Sequence, residues 1–183
     1  IYCGTSSTVI VTSCAIYGNT APHGAGIAVY RGSLTMINSN IHDNIANQAG
    51  GLWINGYDTA SHIFRITGCN FHRNTAKLGG HDGGGIWATR TVDARFESCN
   101  IHTNTAADKG GGIYIASGQV TVASCYILDN TANNLGGGVY ILDGTVTITS
   151  CNIHGNEAHR VRSSAASNCA WHFPGTFSHR PMD

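Results

Sequence analysis

The chain has 183 residues, with ten Lys plus Arg, ten Asp plus Glu, a formal net charge of zero and only 11% charged residues. A surface that tracks phosphates needs a cationic surplus, so nucleic acid is not an expected partner. Twenty-four Gly against three Pro, among regularly spaced apolar residues, argue against a collagen-like or disordered chain, and no apolar run approaches the length of a membrane-spanning helix.

The chain opens on Ile1-Tyr2, which reads as the end of a Gly-Gly-Ile-Tyr strand whose start is missing, so a mature or truncated piece of a longer protein is expected. The first full phrase follows at Cys14-Ala15-Ile16-Tyr17-Gly18-Asn19-Thr20-Ala21. It returns at residues 39–46, 69–76, 99–106, 125–132 and 151–158, at steps of 25, 30, 30, 26 and 26 residues. A repeat of this length signals a solenoid.

The periodicity inside each repeat is two. Val120 and Val122 alternate with Thr121, and Val146 and Ile148 alternate with Thr147. Val11, Met36, Ile66, Phe96, Val122 and Ile148 stand three residues before the Cys or Ser position. Ile16, Ile41, Phe71, Ile101, Ile127 and Ile153 stand two after it. Short β-branched runs bounded by Gly and Asn read as strands. Three strands per turn are expected, at residues 111–115, 119–123, 125–128 and their copies. A coil climbing one strand spacing per turn pairs each strand in parallel with its copies above and below. The predicted fold is therefore all-β: a right-handed single-stranded parallel β-helix of six to seven coils of roughly 26 residues, forming a rod ~30 Å long.

Fixed polar and small positions follow from that geometry. Asn19, Asn44, Asn74, Asn104, Asn130 and Asn156 form a column suited to a left-handed turn conformation and to side-chain bonds along the axis. Two residues later stands Ala in every copy, where a small side chain lets the corner close. The glycine pairs at 50–51, 84–85, 111–112 and 137–138 supply unusual φ or close approach. Cys14, Cys69, Cys99, Cys125 and Cys151 share one position with Ser39. A single column reads as a stack of small buried thiols more readily than as a disulfide framework, although adjacent rungs ~4.8 Å apart lie within disulfide reach.

Two outward columns are candidates for function. Ala28, Trp53, Trp87, Tyr114 and Tyr140 alternate with inward Ile or Val, and such aromatics either stabilise the sheet or bind a carbohydrate or protein partner. His42, His72, His102 and His154 form a row interrupted by Tyr17 and Leu128. It reads as a solvated or lightly packed histidine row rather than a metal site, with sensitivity to pH below about 6.5. Longer turns at residues 55–61 and 77–83 place Asp58, His81, Asp82 and Asp108 as loop candidates, with Lys109 beside Asp108. No catalytic residue, metal or cofactor is assigned. Residues 1–159 are expected to form the helix, and 160–183 a C-terminal cap or a partly disordered tail.

The phrases Gly84-Gly85-Ile86 and Phe71-His72-Arg73-Asn74 resemble the Gly-Gly-Ala/Ile and Phe-x-x-Asn repeats of polymorphic outer-membrane and autotransporter-passenger proteins, within the pectin-lyase-like class of parallel β-helices. The resemblance implies a non-catalytic, extracellular or cell-surface structural or adhesive module. Its partners would be other domains of a longer parent chain, a surface protein or a polysaccharide, with no direct membrane span. A carbohydrate-binding module, or a polysaccharide lyase or hydrolase of the same fold, is the alternative. Hydrolases of that class use several Asp as acid and base; here Asp43, Asp129 and Asp143 are not aligned with one another on consecutive turns.

Overall fold

The computed structural model describes residues 1–57, 62–79 and 82–159. Asp58, His81 and the segment 160–183 lie outside the described residues. Six turns of a right-handed parallel β-solenoid build four six-stranded sheets rather than three. The first sheet contains Tyr2–Cys3, Ile27–Tyr30, Leu52–Asn55, Ile86–Thr89, Ile113–Ile115 and Val139–Ile141. The second contains Thr8–Thr12, Ser33–Ile37, Ile63–Thr67, Thr91–Glu97, Gly118–Ala123 and Thr145–Thr149. The third runs through Ala15–Tyr17, Asn40–His42, Asn70–His72, Asn100–His102, Tyr126–Leu128 and Asn152–His154.

The fourth sheet corrects the three-strand expectation. It is built by the segment expected to be a tight corner: Thr20–His23, Ile45–Gln48, Thr75–Ala76, Thr105–Ala106, Thr131–Ala132 and Glu157–Ala158. Two-residue strands carry too little alternation to be read from sequence. They pair in register with their copies, as in Thr105↔Thr131 and Ala106↔Ala132. The inward Ala46, Ala76, Ala106 and Ala132 are buried.

Every pair of neighbouring strands is parallel, and identical repeat positions face one another: Asn70↔Asn100, Phe71↔Ile101 and His72↔His102. A slip of one residue would turn the apolar set outward, so register is tightly specified. The interior is one continuous core running from Cys3 and Val11 through Leu34, Ile66, Phe71, Phe96 and Ile115 to Val146.

One buried polar column crosses this core boundary. The Nδ2 group of Asn44 donates to Asn74 Oδ1 at 3.0 Å, Asn74 to Asn104 at 3.0 Å, Asn104 to Asn130 at 2.9 Å and Asn130 to Asn156 at 3.0 Å. The second proton of each amide goes to a backbone carbonyl of the preceding turn, as from Asn104 to Phe71 O at 2.9 Å and from Asn130 to Ile101 O at 2.8 Å. Each Oδ1 also accepts a backbone N–H, as from Asn74 N to Asn104 Oδ1 at 3.0 Å. The amides of Asn44, Asn74, Asn104 and Asn130 are fully buried, and each is satisfied at both ends.

The left-handed conformation does not fall on Asn itself. It falls one residue earlier, at Gly18, Asp43, Arg73, Thr103, Asp129 and Gly155. A second left-handed residue precedes each Cys or Ser position: Ser13, Asn38, Gly68, Ser98, Ser124 and Ser150. The glycine pairs serve close approach rather than φ. A Cβ on Gly112 would stand 2.6 Å from Gly138 O and 3.0 Å from Asn130 Nδ2. The turn needs bare backbone there so that the amide column can lie against it.

The six described cysteines are free thiols. Cys99 N–H donates to Cys125 Sγ at 3.4 Å, and Cys125 Sγ donates to Ala123 O at 3.2 Å. Ser39 performs the same task with a hydroxyl, accepting from Cys14 N at 3.1 Å and donating to Ile37 O at 3.0 Å. The position demands a small donor and acceptor, which explains why Ser substitutes for Cys. Burial raises the Cys69 thiol. In Cys125 the bond to Cys151 lowers the pKa, but the bond to Cys99 and burial outweigh it and push it up to about 12. These thiols are structural rather than nucleophilic.

Replacing Asn104 by Ala strips partners from the Asn74 backbone N–H, from one Asn74 amide proton and from Phe71 O. At about 1–3 kcal/mol per buried unsatisfied group, a loss of about 3 kcal/mol or more is expected. Asn19→Ala, at the exposed end of the column, should cost less than about 1 kcal/mol. Urea midpoints at unchanged m-value measure both.

Candidate functional site: the aromatic face and the histidine row

The first sheet turns its alternate residues away from the core. In register these are Tyr2, Ala28, Trp53, Trp87, Tyr114 and Tyr140. Trp53 and Trp87 stack with centroids 5.3 Å apart and planes 2° apart. Trp87 and Tyr114 follow at 6.4 Å and 13°, and Tyr114 and Tyr140 at 5.2 Å and 28°. The column is not an open platform along its length: Trp87 is 8% exposed and Tyr114 is 0% exposed. They form a second small core with Ala49, flanked by half-buried Trp53, Ala116 and Tyr140.

The roof comes from the loops before the glycine pairs. Gly110 and Gly136, at φ of 66° and 62°, fold those loops back so closely that a Cβ on either would lie 2.8 Å from the Cβ of Tyr114 or Tyr140. The roof is polar. Asp108 accepts from Asn134 Nδ2 at 2.8 Å and pairs with Lys109 Nζ at 3.6 Å, and Lys109 lies 5.3 Å from the centre of the Tyr140 ring. Burial first, then the charges around it from Tyr140, Asp108 and Asp82, push the Tyr114 phenol up to about 12. The structure thus brings the loop candidates Asp82 and Asp108 to one tyrosine. Asp82 is fully buried, and Asp108 is committed to neighbours on its own and the next turn.

The histidine row lies on the third sheet. Tyr17, His42, His72 and His102 stack at 4.9, 4.8 and 5.0 Å with planes 3°, 7° and 6° apart. His72, in the middle, is 8% exposed, and its Nε2–H donates to Asn40 Oδ1 at 3.0 Å. His42 Nδ1 bonds Asp43 at 2.6 Å, and Arg73 clamps the same carboxylate with two 2.8 Å bonds. The bonds from Arg73 and then His42 hold Asp43 well below the usual carboxylate range. Among the described residues no group of three or more His, Cys, Asp or Glu gathers as a metal would require.

Several contacts were not anticipated. Tyr57 lies between Arg31 and Arg90, 3.7 and 5.0 Å from its ring centre. Asp93 bridges Arg65 and Arg95 on the second sheet. The signal existed: Arg31 and Arg90 share one corner position, and Asp43 and Arg73 one column, on adjacent or near-adjacent turns. Reading charges by column rather than along the chain finds them.

The His72 imidazole has a folded pKa lowered to about 4, first by desolvation and then by Arg73, His102 and His42, with Asp43 opposing. Its ordinary value is near 6.5, so the unfolded chain binds more protons between these limits. Stability is therefore full above about pH 6.5 and falls as pH drops towards about 4, by up to about 3 kcal/mol from this residue. Loss of the Asp43 contribution belongs to more acidic solutions, below the unfolded carboxylate's titration. His72→Asn should flatten the pH 6.5-to-4 slope in urea denaturation; an unchanged slope would contradict this assignment.

A family model described as the right-handed beta helix region matches residues 1–171. No curated protein and no solved structure matches the chain. With parallel rungs, a buried amide column and a family match across most of its length, this chain belongs to the right-handed beta helix region family.

Proposed function

We propose that this chain is a non-catalytic structural or adhesive β-helix module, working outside the cell or at its surface as part of a longer parent protein. The observation that carries the reading is how its acidic side chains are used. Asp43 is held by Arg73 and His42, Asp93 by Arg65 and Arg95, and Asp108 by Lys109 and Asn134. General acid–base work on a glycosidic bond needs carboxylates or bases placed to exchange protons with a substrate. Here these carboxylates tie neighbouring turns or strand neighbours together. The resemblance to pectin-lyase-like and autotransporter-passenger repeats supports the surface setting, with a surface protein or a polysaccharide as the partner class.

A carbohydrate-binding role is the second reading. The half-buried Trp53 and Tyr140 at either end of the roofed aromatic segment favour it, because their rings are the part of the column that a sugar could reach.

Incubation with neutral and acidic polysaccharides, with and without calcium, tests the assignment. The module should release no reducing ends and no unsaturated sugars, yet be retained on an immobilised surface protein or polysaccharide. Turnover abolished by Asp82→Ala or Asp108→Ala would overturn it in favour of an enzyme.

A further inference from the structure

Five arginines stand among the described residues, and three of them are held by aspartates: Arg65 and Arg95 by Asp93, and Arg73 by Asp43. The other two, Arg31 and Arg90, meet at one ring. Their guanidinium carbons lie 3.7 and 5.0 Å from the centre of Tyr57, and that of Arg31 lies 5.4 Å from the centre of Tyr30. Among the described residues neither guanidinium is paired with a carboxylate. Arg31 is half-buried and Arg90 is exposed. Arg31, Tyr57 and Arg90 occupy one corner, between the first and second sheets, on three successive turns.

We propose that this corner binds the carboxylate or sulfate groups of an acidic polysaccharide. The proposal rests on the reading that a polysaccharide is a partner of the module, and it names the chemical class. Charge is the first argument. Two cations gathered at one ring repel each other, and among the described residues no acidic side chain pairs with either. The chain as a whole is neutral, so this concentration of charge is local rather than part of a basic surface. An oxyanion shared by the two guanidiniums removes the repulsion. Donor geometry is the second argument. A guanidinium stacked on an aromatic face still directs its N–H fork outward in its own plane, and that fork matches a carboxylate or a sulfate. Placement along the rod is the third. The backbones of Arg31 and Arg90 stand two turns apart, ~9.6 Å at one strand spacing per turn. Forks that recur along the axis suit a linear polymer carrying anions at intervals. The Tyr57 ring is already occupied by the guanidiniums, so the corner offers charge and hydrogen bonds rather than a bare platform for an apolar side chain.

Binding of the whole chain to immobilised polygalacturonate, dextran sulfate, poly-glutamate and uncharged dextran, at one fixed low salt concentration, tests it. At least one of the two acidic polysaccharides should bind, uncharged dextran should not, and the tighter of the two tells carboxylate from sulfate. Arg31→Gln and Arg90→Gln should each weaken that binding by about fivefold or more, as expected of a charge-assisted hydrogen bond at a partly exposed site. Arg31→Lys keeps the charge and loses the fork, and should weaken it as well. Arg65→Gln changes the net charge equally, but its guanidinium is already held by Asp93, so it should leave binding unchanged. Circular dichroism and the urea midpoint check each variant's fold; should Arg31→Gln fail that check, the exposed Arg90→Gln decides alone.

Absence of binding to both acidic polysaccharides, preference for poly-glutamate, equal weakening by Arg65→Gln, or binding untouched by the folded Arg31→Gln and Arg90→Gln would each overturn the site and leave the adhesive reading standing. Binding that emerges only in Asp58→Asn would assign the guanidiniums to the chain's own carboxylate and overturn it too. Release of unsaturated sugars from polygalacturonate would overturn the adhesive reading instead, and the same arginine variants would still decide the site.

Discussion

A buried amide that must bond its own copy one turn away is the constraint on which the rest of this molecule depends. Asn74 and Asn104 each give one proton to the next asparagine and one to a carbonyl of the preceding turn, while their oxygens receive a side-chain and a backbone N–H. No group in the column is left over, and none can be moved without stranding another. An unpaired amide here would carry its full desolvation cost, so the column acts as a ruler that fixes turn height and register together. The amide-to-amide bonds all point the same way along the axis, which allows each to polarise the next.

Other repeated positions follow from lodging that column. The second glycine of each pair is bare because the amide of the same rung lies within 3.0–3.1 Å of where its Cβ would be at Gly51, Gly85 and Gly112. Left-handed residues stand immediately before the Asn and the Cys or Ser, turning the chain so that those side chains face inward. The Cys or Ser position repeats the same logic with weaker partners, taking a backbone N–H from the turn before and capping a carbonyl two residues back. A solenoid of this kind draws its stability from contacts between neighbouring turns rather than within one turn.

Much of this was legible from residue type and spacing. Val120, Val122 and Ile127 with their copies announced inward strand faces, and Asn19 to Asn156 announced a ladder, because a β-solenoid projects its period directly onto the sequence. The fourth sheet was hidden since pairs such as Thr105–Ala106 are too short to show alternation. The position of the left-handed residues was hidden because Asp43, Arg73, Thr103 and Asp129 share no side-chain chemistry; only backbone geometry unites them. Burial of Trp87 and Tyr114 was also beyond reach. Alternation says that a side chain leaves the core, but not that a loop from the same turn returns to cover it.

The polar faces and the core thus answer to one design: like stacked on like at a fixed interval, with rings, imidazoles, amides and thiols each in their own file. Amide hydrogen exchange resolved by residue reads that design most directly. Backbone amides of Asn44, Asn74, Asn104 and Asn130 should be among the slowest in the protein and should open together in one cooperative event, with protection fading towards Asn19. Rapid exchange at Asn74 or Asn104, or opening of single turns independently of their neighbours, would contradict a rod held in register by its amide column.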